Sequence, residues 1–149
     1  MKKLNLLVHV VSSVGWWGAV AAFLALAVAG LNGDATAAAT GLFVTGWWVI
    51  VPLAGLSTLT GFVQSLSGPW GLVRHWWVVF KIVLTLPCTA LLILHLQAVP
   101  YAAHEAATRQ QMVLDAALAL IVLMVPIGLS LYKPRGTTPW AKPAPGHRA

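Results

Sequence analysis

The 149-residue chain is 59% hydrophobic and 8% charged, with a mean hydropathy of +0.83, whereas soluble domains carry about a quarter charged residues. That composition excludes a water-soluble globular domain. The formal net charge of +6 arises from nine Lys and Arg against three Asp and Glu; the basic residues are spread along the chain rather than gathered on a soluble face, so no nucleic-acid partner is expected.

The first apolar segment, about 4–30, follows Met1-Lys2-Lys3 and ends in "ALAVAG". The basic start and the small residues up to Ala29 match a signal peptide in kind, but the run exceeds the about 7 to 15 residues of a signal h-region. It is therefore expected to be retained as a spanning helix. Asn5, His9, Ser12 and Trp16 recur at four, three and four residues and form a polar stripe, while Gly15, Gly18 and Ala22 allow close helix contact.

After "LNGDATAAAT", read as an outer connection, the second segment covers about 41–66. It carries Trp47-Trp48 near its entrance, Pro52 inside it, and Ser57, Thr60 or Gly61, and Gln64 as a stripe in its second half. Ser57, Gly61 and Ser65, at intervals of four, supply a small-residue face. "SLSGPWGLVRH" leads to the third segment, about 76–99, which opens on Trp76-Trp77. Its stripe is Lys81, Thr85, Cys88 and His95, with Leu92 in the intervening place. Cys88 is the sole cysteine; it permits no intramolecular disulfide and reads as a buried thiol. "PYAAHEAATRQ" connects to the fourth segment, about 110–132, with Asp115 near its start. Pro87 and Pro126 lie inside the third and fourth segments, where each removes a backbone hydrogen bond. Residues 133–149, rich in Pro and basic side chains, are expected to form a disordered cytoplasmic tail.

Each segment is long enough for the roughly 20 residues a helix needs to cross the hydrocarbon core, and backbone in lipid must satisfy its own hydrogen bonds. The expected fold is all-α: a polytopic membrane protein with four transmembrane helices in an antiparallel bundle. The positive-inside rule sets the orientation. With both termini cytoplasmic, Lys2, Lys3, Arg74, Lys81, Lys133, Arg135, Lys142 and Arg148 fall at or near the inner side, Arg109 alone is outside, and Asp34, Glu105 and Asp115 lie toward the outer side.

Depth decides which polar residues meet. His9 is five residues beyond Leu4 and Lys81 five beyond Trp76, so each is about 7 to 8 Å into its helix from the cytoplasmic end. His9, Ser12, Gln64, Lys81 and Thr85 are thereby expected around one inner-half cavity. His95, about 21 Å farther along its helix than Lys81, belongs to the outer side with Asp115 as its partner. Taken singly, Lys81 reads as a lysine snorkelling to the head groups, and each histidine as a hydrogen-bonded packing residue. Taken together, His9 and Lys81 suggest a site: neutral imidazole ligates haem iron or copper, and an amine does so when deprotonated. Copper favours Met and Cys clusters, which the chain lacks. No nucleophile motif, phosphate loop or zinc spacing is present, so no catalytic residue is named.

His9 followed by "GWWGA", then "LTGFVQSLSGPWG" and "WWVVFKIVLTL", resemble the four-helix core shared by copper-resistance CopD-type proteins, HemJ-type protoporphyrinogen oxidases and an uncharacterised family of predicted integral membrane proteins. The resemblance covers Leu4 to Leu96. It implies a functional helix-one histidine and helix-three lysine associated with haem, here His9 and Lys81. "AGLNGDATAAAT" has no basic residue where the first two types carry arginine, so the uncharacterised branch is the nearest match.

The expected function is that of a bacterial plasma-membrane protein binding haem b or a porphyrin in the cytoplasmic half, for electron transfer or oxidoreduction. His9, Lys81, Gln64 and Trp16 are expected to line the cofactor, with His9 and Lys81 as metal ligands. The expected partners are the lipid bilayer and a membrane redox partner or a second copy of the chain. The alternatives are a CopD-like small transporter or copper-handling protein, and a structural or accessory subunit without cofactor.

Overall fold

The computed structural model describes residues 2–67, 72–132 and 136–139. Among them the chain is helical, with no strand beyond one isolated antiparallel bridge between His75 and Thr137. Four helices are long and apolar enough to cross a membrane: α1 (Lys2–Asn32), α2 (Ala35–Ser67), α3 (Trp76–Leu96) and α4 (Ala106–Tyr132). A short 3-10 turn, Val99–Ala103, joins α3 to α4.

The helix boundaries follow from local chemistry. The stretch expected as an outer connection is mostly helix, and only Gly33 and Asp34 separate α1 from α2. Asp34 takes an extended backbone and its carboxylate accepts from the Thr36 and Ala37 amides at 2.9 and 3.0 Å, capping donors that a helix start leaves unpaired. The adjoining alanine-rich "ATAAAT" then propagates the helix. Trp47-Trp48 consequently lies well inside α2 rather than at its entrance. Six residues of α2, Thr45–Ile50, form a π-helical turn in which the Val51 amide bonds back to the Gly46 carbonyl. The cause is next in sequence: Pro52 has no amide hydrogen, and widening the preceding turn accommodates the break in the ladder. At the other end, α3 stops at Leu96, short of residue 99, because Pro100 disfavours helical backbone before it.

α1 is the central helix. It packs along α2 on one side and α4 on the other, whereas α3 packs mainly on α4 and touches the second half of α2 only lightly. The share of the apolar window buried is correspondingly 33% in α1 and 6% in α3, which makes α3 the peripheral helix.

Contacts fix the directions. Asn5, Ser13, Gly15 and Gly30 of α1 meet Thr60, Ser57, Leu53 and Ala38 of α2 in descending order. On the other pair, Lys81 of α3 meets Ser130 of α4 and His95 meets Asp115. Both sequential pairs therefore run in opposite senses. One end of the molecule holds the start of α1, the end of α2, the start of α3 and the end of α4.

The apolar core occupies the other half. Trp16, Val20, Phe23 and Ala27 of α1 interlock with Leu42, Ile50 and Ala54 of α2 and with Leu96, Val99, Met112, Ala116 and Leu123. Many large apolar side chains face outward, among them Trp48, Leu59, Leu94, Ile121 and Leu131, as lipid contact requires. Of the expected tail, residues 136–139 are described. Thr138 is buried, its amide bonds to the Arg74 carbonyl at 3.0 Å, and its hydroxyl bonds to the Val73 carbonyl. The tail's other residues lie outside the described ones.

Candidate functional site

The half of the α1–α2 seam left free by the apolar core is polar. At its centre, His9 Nδ1 lies 3.0 Å from the Ser57 carbonyl and 3.1 Å from Thr60 Oγ1. A carbonyl only accepts, so Nδ1 carries the ring proton in this contact. Thr60 directs its own proton to the Leu56 carbonyl at 2.6 Å, which leaves its oxygen free to accept from the imidazole. The local backbone explains the donors and acceptors: Ser57 O belongs to a helical ladder and retains a second lone pair.

Gly61 makes the approach possible. A Cβ at that position would stand 3.1 Å from His9 Cε1 and 4.0 Å from Nε2, so the Cε1 edge of the imidazole comes close to backbone where a larger residue would intrude. No hydrogen bond to Nε2 is found among the described residues. With the proton on Nδ1, Nε2 of the neutral ring carries an available lone pair. A metal-ligating histidine is commonly fixed in this way, by its other nitrogen donating to a backbone carbonyl.

Hydroxyls extend the seam. Ser13 donates to the His9 carbonyl at 2.7 Å, and Ser57 Oγ is 2.7 Å from Ser13 Oγ. Since the Ser13 proton is committed to the carbonyl, Ser57 is the donor in that pair. Ser12, only 1% exposed, also donates to the His9 carbonyl, at 3.1 Å. Asn5 Nδ2 donates to the Thr60 carbonyl at 3.3 Å.

The other expected site residues divide. Gln64 is one helical turn beyond Thr60, and its Nε2 is buried without a hydrogen-bond partner among the described residues. Trp16 lies two turns beyond His9 on α1; it is 6% exposed and its indole Nε1 likewise lacks a partner. Both are orphan donors, which a buried group retains only at a cost of about 1–3 kcal/mol unless an acceptor arrives. Lys81 sits on a different seam. Its Nζ donates to Ser130 Oγ at 2.7 Å and lies 5.7 Å from the Trp77 ring centroid, while Ser130 passes its own proton to the Pro126 carbonyl at 2.8 Å. Trp77 precedes Lys81 by one turn, so the lysine stem runs back toward the start of α3. The structure thus gathers His9, Ser12 and Gln64 along one seam and turns the Lys81 ammonium to α4.

Of the remaining stripe residues, Cys88 is partly rather than fully buried. His95 and Asp115 do meet: Nε2 lies 3.5 Å from Oδ2, with Nδ1 2.8 Å from the Leu91 carbonyl. They are remote from His9, at the opposite end of the molecule. No group of three or more His, Cys, Asp or Glu side chains converges among the described residues. An apolar groove of about 430 Å³ lies along α3, lined by Trp76, Trp77, Val79, Phe80 and Val83; it includes none of His9, Gln64 and Trp16.

Ser13 and Ser130 escaped the sequence reading. Ser13 is one turn beyond His9, a spacing that brings its hydroxyl to the His9 carbonyl, and Ser130 is two residues from the end of α4, at the level of Lys81. Both relations were readable from helix registers. Compared with models of protein families, with curated proteins and with solved structures, the chain matches none.

Proposed function

We propose that the protein is a four-helix antiparallel bundle of the bacterial plasma membrane, with both termini cytoplasmic, that holds a haem b or porphyrin-like group in its cytoplasmic half. The orientation is supported by charge: Lys3, Arg74 and Lys81 fall at one end of the helices, and Asp34, Glu105 and Asp115 at the other. The observation that carries the cofactor reading is the His9 imidazole, fixed through Nδ1 by Ser57 with Nε2 unengaged. Two buried donors without a partner among the described residues support the fit: Gln64 Nε2, one turn beyond Thr60, and Trp16 Nε1, where α1 enters the apolar core two turns beyond His9. His9 would ligate iron through Nε2, and Gln64 and Trp16 would donate to acceptors at the cofactor's edge. Lys81, engaged with Ser130, would contribute a positive charge near the site rather than a metal bond. Bound haem supplies one-electron chemistry; the chain's part is to fix the imidazole tautomer and exclude water with the apolar half above. The resemblance to HemJ-type and CopD-type cores agrees with a functional His9.

The absorption spectrum of protein purified from haem-supplemented cells tests this reading. A Soret band that copurifies with the full chain is expected, and its complete absence would overturn the proposal.

A second reading, a structural or accessory subunit without cofactor, draws on the hydrogen bonds that join His9, Ser13 and Asn5 to α2. In that case His9 is a fastener between two helices. A His9→Gln variant that keeps full cellular function and the wild-type melting temperature would favour neither cofactor nor fastener, whereas lost stability without any Soret band in the parent would favour the fastener.

A further inference from the structure

We infer that the start of α3 is a binding site for one anionic phospholipid, its phosphodiester held by Lys81 and Arg74 and an acyl chain lying in the groove of Trp76, Val79, Phe80 and Val83. Three observations converge.

The first is a charge without a counterion. All three acidic side chains of the protein lie at the opposite end: Asp34 caps α2, Glu105 precedes α4, and Asp115 pairs with His95. Asp115 is 15 residues from Ser130 along α4, about 22 Å away by helical rise. The Lys81 ammonium has three donors, and among the described residues it uses one, to Ser130. The Arg74 guanidinium, two residues before α3, is exposed and has no ion-pair partner among the described residues. An ionisable side chain at membrane depth takes a partner, and among the described residues no acidic side chain lies at this end.

The second is position. Lys81 runs back over Trp77 toward the helix start, so its ammonium lies within a turn of the boundary where tryptophans meet head groups. Phosphate oxygens are within reach at that level.

The third is shape. The groove is lined wholly by apolar side chains and continues from Trp76 to Val83 for about 10 Å along α3. Trp77 belongs to both features: it lines the groove and carries the ammonium on its ring. The groove lining includes neither cation, but Lys81 lies against Trp77 and Arg74 stands two residues before the helix; an apolar face and two cations at one helix start complement an amphiphile with a single negative head, and a zwitterionic lipid leaves the charge unmatched.

Native mass spectrometry of the full chain in detergent, titrated with phosphatidylglycerol or with phosphatidylcholine of the same acyl chains, tests the site. Wild type is expected to retain phosphatidylglycerol in preference by about fivefold or more, since each cation near a phosphate contributes roughly that factor. Arg74→Gln and Lys81→Gln are each expected to lower the preference and the double variant to abolish it. Lys81→Arg, which keeps the charge, is expected to restore it, and Arg109→Gln at the far end to leave it unchanged. Equal retention of the two lipids by wild type, an undiminished preference in the double variant, or a second copy of the chain in place of lipid overturns the site. The readout is lipid mass and not a Soret band, so its outcome is separate from that of the haem reading.

Discussion

His9 and Ser57 are tied across the α1–α2 seam by a hydrogen bond of 3.0 Å from Nδ1 to the backbone carbonyl. Because the acceptor is main chain, substitution of Ser57 leaves it in place. This separates two roles that a single variant would confuse. Ser57→Ala is expected to retain cofactor and lose only the contact with Ser13, at about 1 kcal/mol, whereas His9→Ala removes the proposed ligand. Absorption spectra of the two variants check the pair. A Soret band lost equally in both would place the ligand elsewhere.

Gly61 supplies a second handle on the same ring. A methyl group there would stand 3.1 Å from His9 Cε1, closer than ordinary contact, so Gly61→Ala is expected to push the ring by a few tenths of an ångström and Gly61→Val to displace it. The proposed cofactor site should respond in that order, with a shifted Soret maximum in the alanine variant and a lost band in the valine variant. Identical spectra in all three proteins would show that the ring does not touch the chromophore.

The four long apolar segments were legible because lipid demands such runs, and charge scarcely interrupts them: 4–30 and 41–66 carry none, 76–99 only Lys81 and 110–132 only Asp115. Pairing of His95 with Asp115 was legible too, since counting residues along antiparallel helices gives depth directly. Depth says nothing of azimuth, however. His9 and Lys81 do share a level, yet helix rotation aims one at α2 and the other at α4, and only packing sets that rotation. The early start of α2 was missed for another reason. "LNGDATAAAT" looks like a loop by its Gly and Asp, but Asp34 is a capping residue and the residues after it are mostly alanine.

Gly46 of α2 lies directly against Leu96 at the end of α3. A Cβ on Gly46 would lie 2.3 Å from Leu96 Cδ2 and 3.3 Å from Cδ1, and Leu96 is 1% exposed with little room to rotate. Gly46→Ala therefore overpacks the junction of the π-helical turn with the end of α3. The expected cost is about 1–3 kcal/mol, read as a lower midpoint of thermal unfolding in detergent. Combining it with Leu96→Ala, which vacates the space, should recover part of the loss. A double variant no better than the sum of the two singles would contradict this packing account.

Asp34 controls where α2 begins. Its carboxylate is the cap for two amides, Thr36 and Ala37, and the two-residue turn that it forms with Gly33 leaves no other side chain to replace it. Asp34→Ala is expected to cost about 0.5–2 kcal/mol, and Asp34→Asn, which keeps an acceptor oxygen but no charge, less. The loss should be local: amide hydrogen exchange should rise at Thr36 to Ala39 while the His9 end of the seam keeps its protection. Because the proposed cofactor lies at that far end, Asp34→Ala should also leave any Soret band unaltered. Rapid exchange spreading from residue 36 through Ser57 would instead mean that α1 and α2 hold together only as one cooperative unit, with the cap as its weakest point.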